Sequence, residues 1–264
     1  MDESGKPFSI SGKNPLFDEP NFVARAEALD ELELLRSALE AVDDRLFERL
    51  RPRARRHLRE LIDTYVPPPY EPGYGVLDLF LQKLLPGGPL PEPTITPGPD
   101  MVYYQKTPAH LILELTQYLK PTDVFVDLGS GLGQPSILVN LLTNIPAIGV
   151  EIDPAFHAYA TRVAEALQLD DVTFINADAQ NADLERGTVF FLYTPFRGAL
   201  LQTVLQRLPK NCRLITYGPC TEDLRHASCW RPVPHFDRVL PTAMHGRNAV
   251  RASSSDALSL FETR

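Results

Sequence analysis

The sequence predicts an α/β protein: a mostly parallel sheet with helices on both faces, preceded by an N-terminal helical extension. Three observations carry that expectation. Short apolar runs at 124–126, 145–151, 172–176, 188–192 and 213–217 are mostly separated by segments of helical periodicity. The first three runs each end in or beside an acid: Asp127, Glu151 and Asp178. A glycine-rich turn follows the first run at once, and a helical pattern follows the turn.

Taken in order, residues 1–22 are polar and broken by proline and glycine, which predicts a flexible tail. Residues 23–65 place Leu29, Leu32, Leu35, Leu39, Val42, Leu46, Leu50, Leu58, Leu61 and Ile62 at roughly helical spacing. Pro52 is expected to divide this stretch into two helices. Residues 66–100 read as a proline-rich linker laid over the following domain, with a short helix at the apolar island 76–85. The main domain is 101–264. It opens with Thr107 as an N-cap, Pro108 at the first helical position, and a buried stripe of Leu111, Ile112, Leu115 and Leu119. A strand at 124–126 leads through the glycines to a helix over 135–142. The strand at 145–151 leads through Asp153 and Pro154 to a helix ending near Leu169. Strands at 172–176 and 188–192, a helix at 198–208 and a strand at 213–217 follow. Val239-Leu240 and 258–262 are expected to supply an antiparallel pair.

The chain of 264 residues can bury a substantial core. Its net charge of −8 argues against an affinity resting on nucleic-acid phosphates, although a local basic patch stays possible. The three cysteines, Cys212, Cys220 and Cys229, lack zinc-like spacing, and no metal site is expected. They fit the reduced cytoplasm better than a disulfide framework. No apolar run approaches membrane-spanning length. Arg45, Arg49, Arg51, Arg53, Arg55, Arg56 and Arg59 crowd one stretch, and on a helix Arg45, Arg49, Arg56 and Arg59 share a face. Such a run is a solvated, ion-paired surface or a contact for an acidic partner or RNA.

The chemistry concentrates at residues 124–134, VFVDLGSGLGQ. Gly129, Gly131 and Gly133 give a D-x-G-x-G-x-G turn, in which missing side chains let the backbone come close to a ligand. Gln134 stands where a dinucleotide fingerprint requires its third glycine, which points away from a nicotinamide site. Asp127 suits a ligand with a cationic amino group. Glu151, at the second strand end, can accept from both hydroxyls of a ribose. Asp178 can accept from an adenine amino group while the N–H of Ala179 meets a ring nitrogen.

With those residues in place, the chain resembles the class I S-adenosylmethionine-dependent methyltransferases. The match runs through 127–134, 149–153, 176–179 and 191–196, and covers about 101–264. The resemblance implies a Rossmann-like, seven-stranded, mostly parallel sheet and S-adenosylmethionine as cofactor. Carried onto this sequence, it implies a cofactor site of Asp127, Gly129, Ser130, Gly131, Gly133, Gln134, Glu151, Ile152, Asp178 and Ala179. FVDLGSGLGQ is most similar to the disruptor-of-telomeric-silencing class of histone lysine methyltransferases. That class has a Y-x-x-T loop upstream, and Tyr104-Gln105-Lys106-Thr107 stands in its place. By the resemblance, Tyr104 and Thr107 help close over the cofactor. The chain departs from the class after the fourth strand, where Tyr193-Thr194-Pro195-Phe196 replaces an Asn-Asn-Phe segment. It is still more similar to uncharacterised bacterial proteins of this type, with TPFRG and TYGPC segments.

Methyl transfer from a sulfonium is an in-line displacement that needs no metal, so orientation does most of the work, worth roughly 7–11 kcal/mol. Tyr193, Thr194 and Phe196 are the candidate acceptor-facing residues, although Tyr193 and Phe196 fit core packing equally well. The expected acceptor is an unidentified amine, of a protein lysine or a small molecule. RNA methylation and a non-catalytic cofactor-binding sensor or scaffold are the alternatives. Cys220 could act as a nucleophile only if exposed and activated.

Overall fold

The computed structural model describes residues 44–56, 58–59, 76–193, 195–218, 230–232 and 258–263, with the single positions Ser37, Ala41 and Leu224. Within them lie helices α1 (Asp44–Leu50), α2 (Val76–Leu84), α3 (Ala109–Thr116), α4 (Gln134–Thr143), α5 (Pro154–Ala166) and α6 (Gly198–Arg207). The strands are β1 (Phe125–Leu128), β2 (Ala147–Glu151), β3 (Val172–Asn176), β4 (Val189–Tyr193), β5 (Arg213–Tyr217), β6 (Trp230–Pro232) and β7 (Ser259–Thr263). The order across the sheet is β3-β2-β1-β4-β5-β7-β6. β1 to β5 run parallel, and β7 is antiparallel to both β5 and β6.

Strand alternation explains the layers. Phe125, Val189, Phe191 and Ile215 point into one core with α1 to α5, whereas Val126, Leu128, Phe190, Leu192 and Leu214 point into a second core with α6. Strands buried on both faces read as continuous apolar runs, which is why β4 is VFFLY without polar alternation. The order reverses between β1 and β4, and a ligand crevice is expected outside the carboxyl ends of the strands there.

Several sequence expectations need correction. Thr107 does not cap α3; the N-cap position is Pro108, and no side chain of that residue can serve. The Ala109 N–H donates instead to the buried carboxylate of Asp78, on α2, at 3.1 Å. Asp78 also pairs with Lys106 at 3.4 Å, so one acid ties α2 to both the start of α3 and the loop before it. Asp78→Ala leaves both groups without this partner and is expected to lower stability by about 1–3 kcal/mol, read in a urea titration. In α1 it is Phe47, not Leu46, that enters the core; Leu46 is exposed. A 3-10 turn, Arg51–Arg53, with Pro52 near its start, follows α1 directly. Arg51 donates to the carbonyls of Lys83 and Leu84, and Arg55 to Asn140 and Asn144 at the end of α4. Both guanidinium groups thus sit at helix C-termini, where the aligned peptide dipoles favour a cation. The partner strand of β7 is β6, whereas Val239 and Leu240 lie outside the described residues. So do residues 1–36, Leu39, Val42, Leu61, Ile62, Cys220 and Cys229.

Candidate functional site

A cavity of about 440 Å³ opens at the carboxyl ends of β1 to β4. Its floor is built at the strand ends: Asp127 in β1 with Gly129 and Ser130 after it, Glu151 and Ile152 at the end of β2, and Ala177–Gln180 after β3. Tyr193, Pro195 and Phe196 follow β4. The opposite wall is the extended chain 90–105, which supplies Leu90, Pro91, Pro93, Ile95, Pro97, Met101 and Tyr104. Thr107 and Gln134 also line the space. The structure therefore gathers most of the residues singled out from the sequence around one cavity. Gly131 and Gly133 lie beneath its surface, and Thr194 lies outside the described residues.

The glycine turn works differently from the expectation that its N–H groups are presented to a ligand. The N–H groups of Gly129 and Ser130 both donate to the Val150 carbonyl, at 2.9 and 3.0 Å. That of Gly131 donates to Glu151 Oε2 at 2.7 Å, and that of Gly133 to the Ser130 carbonyl at 2.8 Å. These four donors are consumed in joining the turn to β2 and in closing it on itself. The glycines are required by space instead. Gly129, Gly131 and Gly133 all have positive φ. A Cβ at Gly131 would lie 2.3 Å from the Tyr104 ring, and one at Gly133 would lie 2.5 Å from Phe174. Tyr104 thus lies directly over the turn, with its ring centroid 5.2 Å from that of Phe156.

The electrostatics centre on Asp127. Its side chain is buried, and among the described residues Oδ2 has no hydrogen-bond partner. Burial, and then the nearby charge of Glu151, push its pKa up to about 8. Burial also raises Glu151, against the pull of the N–H groups of Asp153 and Gly131, which donate to its two oxygens. A buried carboxylate left without a partner is costly, and native proteins keep one mainly where a ligand completes it. An ammonium group would both satisfy Oδ2 and offset the repulsion from Glu151. The residues present therefore fit a ligand carrying a cationic amino group at this end.

Asp178 is occupied locally: Oδ1 accepts from the Gln180 N–H at 2.9 Å and Oδ2 from its side-chain amide at 3.1 Å. Tyr193 stacks on Tyr217 of β5, centroids 5.2 Å apart, and keeps an edge on the cavity. Cys212 is buried, and burial pushes its thiol up to about 12, so it is inert. His157 is engaged with the Phe174 carbonyl at 3.3 Å and stands outside the cavity lining. Among the described residues no group of His, Cys, Asp and Glu could hold a metal, and no helix is long and apolar enough to cross a membrane.

Sequence reading missed two parts of this site. One is which residues of 90–105 line the cavity, since most of that stretch reads in sequence only as part of a proline-rich linker laid over the domain. The other is Asp153, which sits at the N-cap of α5 and accepts from Ala155 and Phe156, as well as from Thr94 and Ile95 of the wall. Burial opposes its ionisation, but these hydrogen bonds outweigh it and hold its pKa below the usual carboxylate range.

A doubly wound parallel sheet, with antiparallel β7 inserted between β5 and β6, carries this cavity at its switch point. The fold is that of the class I S-adenosylmethionine-dependent methyltransferases. Residues 96–191 match the family described as histone methylation protein DOT1, a span that ends inside β4, before Tyr193–Phe196. No curated protein is significantly similar to the chain. Among solved structures, an RNA methyltransferase from Salinibacter ruber, in complex with S-adenosyl-L-homocysteine, is 24% identical over 60% of this chain and 93% of that one, with a TM-score of 0.42. A methyltransferase from Thiobacillus denitrificans is 23% identical over 41% and 47%, TM-score 0.36. Geranyl diphosphate C-methyltransferase from Streptomyces coelicolor A3(2) is 20% identical over 41% and 44%, TM-score 0.36. The chain spans about half the length of the last two. Likeness this slight assigns no substrate.

Proposed function

We propose that the protein is an S-adenosylmethionine-dependent methyltransferase acting on an amine, of a protein lysine or a small molecule. The observation that carries the reading is the unpartnered, buried Oδ2 of Asp127 beside a glycine turn in a cavity at the sheet's switch point. S-adenosylmethionine supplies a methyl group already activated on a sulfonium, together with the ammonium that Asp127 lacks.

In this reading Asp127 binds the ammonium and Ser130 and Gln134 shape the same end. Glu151 holds the ribose: its two oxygens accept from the N–H groups of Gly131 and Asp153 and have capacity left for the hydroxyls. Ile152 and Phe156 offer apolar walls to the adenine, whose edge meets Asp178 and Ala179. Tyr104 and Thr107 close over the donor. At the other end Tyr193 and Phe196 wall the acceptor, and Thr194 belongs to the same segment. The four cavity-lining acids Asp127, Glu151, Asp153 and Asp178 all lie at the ends of β1 to β3, so the cavity wall at the end of β4 carries no charged side chain among the described residues. A dry, uncharged wall lowers the pKa of an entering amine and exposes its lone pair. With the amine aligned on the methyl carbon, catalysis follows from orientation.

Arg51 and Arg55 are engaged with helix C-termini, which removes part of the basic stretch that favoured RNA. The experiment is transfer of a tritiated methyl group from S-adenosylmethionine into a lysate fractionated into protein, RNA and small molecules. Label in protein or small molecules supports the amine reading. Label confined to RNA contradicts the acceptor, and tight donor binding with no label anywhere contradicts catalysis.

A further inference from the structure

One acid gathers three polar contacts from the wall formed by residues 90–105. Asp153 Oδ2 accepts from the backbone N–H groups of Thr94, at 2.6 Å, and Ile95, at 2.8 Å. Its Oδ1 accepts from the Thr94 hydroxyl at 2.9 Å and from the N–H groups of Ala155 and Phe156 at the start of α5. The N–H of Asp153 itself donates to Glu151 Oε1 at 2.8 Å. A single buried residue therefore joins the cavity's far wall, the first turn of α5 and the acid at the end of β2.

We propose that Asp153 is a positioning residue that sets the wall 90–105 against the methyl-donor site, acting through its clamp on Thr94 and Ile95. The proposal rests on the methyl-donor reading of the cavity. Ile95 and Pro93 line the cavity, whereas Thr94 between them does not. The clamp thus grips the wall at Thr94, outside the lining, and at the backbone of Ile95, within it. Further along, the Val102 N–H donates to the Pro195 carbonyl at 3.0 Å and that of Arg197 to the Asp100 carbonyl at 2.9 Å. The wall is thereby held at both ends: at Asp153 over the donor, and at the segment after β4 over the acceptor. Setting its near end sets the width of the space between them.

The two oxygens divide the work, which makes the proposal testable with one atom. Asp153→Asn keeps an oxygen for the α5 cap, where Asn and Asp are equally good. It places an NH2 group against two N–H donors of the wall, and so releases the wall without uncapping the helix. Thr94→Val removes only the hydroxyl contact, at an exposed position outside the cavity lining. The probe is S-adenosylhomocysteine, titrated calorimetrically into the full chain, with the melting temperature of each free variant measured alongside. Asp153→Asn is expected to weaken binding about tenfold and Thr94→Val about threefold, in that order. The Thr94→Val melting temperature should stay at the wild-type value, a separation that a purely structural role does not produce. If wild type binds and Thr94→Val binds equally well, with Asp153→Asn either equally tight or unfolded, the positioning role is overturned and the donor reading stands. If wild type itself gives no binding, the donor reading fails and the positioning role falls with it.

Discussion

Asp127→Asn is expected to abolish measurable donor binding while relieving the free protein of a pH-dependent burden. The variant keeps the shape of the side chain and loses the charge that an ammonium needs. Truncating one partner of a buried charge pair typically costs about 2–5 kcal/mol, or a 30- to several-thousand-fold loss in affinity. The sign for the free protein runs the other way. With a folded pKa near 8 against about 3.9 in the unfolded chain, the folded state holds a proton that the unfolded state has released between those values. Folding stability contributed by this group therefore falls as pH rises from about 4 to about 8, and levels off above. Melting curves of the free protein across pH 5 to 8 should slope downward for wild type and less so for Asp127→Asn. Donor binding behaves oppositely: below pH 8 it expels the Asp127 proton, so wild-type affinity should rise toward pH 8, by at most about tenfold per unit. The gain ends there because an α-amino group loses its own proton near the same pH.

Glu151→Ala is expected to be the most damaging substitution for the site as a whole. It removes the acceptor for the Gly131 and Asp153 N–H groups at once. Each buried donor left unsatisfied costs about 1–3 kcal/mol, so unfolding in urea should shift by several kcal/mol. Donor binding should be lost as well, because the turn, the ribose acid and the clamp at Asp153 all meet at this residue. Glu151→Gln retains one accepting oxygen and should fall between the two. A Glu151→Ala protein as stable as wild type would mean that the turn closes without it.

Much of the sheet was legible because its central strands, β1, β2, β4 and β5, are mostly buried. β3 and β5 have the bounds their apolar runs predict, and β1, β2 and β4 differ by one to a few residues. Local signals also place Asp127, Glu151 and Asp178 at successive strand ends. What failed were features made by distant contacts. Nothing near Thr107 reveals that Asp78, 31 residues upstream of Ala109, takes the N–H at the start of α3. The glycines signal close approach, but only the fold reveals that Tyr104, Phe174 and Pro195 are the groups approaching, and that Glu151 and Val150 take the N–H groups. Arg51 and Arg55 look like members of a charged surface run until their helix C-termini come into view. Asp153 reads only as a residue between a strand and a helix, and its second oxygen faces a segment about 60 residues away in sequence.

The most direct test of the central claim is calorimetric titration of the full chain with S-adenosylhomocysteine and, separately, with NAD, in two buffers of different ionisation enthalpy. One-site binding of S-adenosylhomocysteine with proton release at pH 7 and no binding of NAD are expected for wild type, and no measurable binding of S-adenosylhomocysteine for Asp127→Asn. Binding of NAD alone, or of neither ligand, by wild type would contradict the claim.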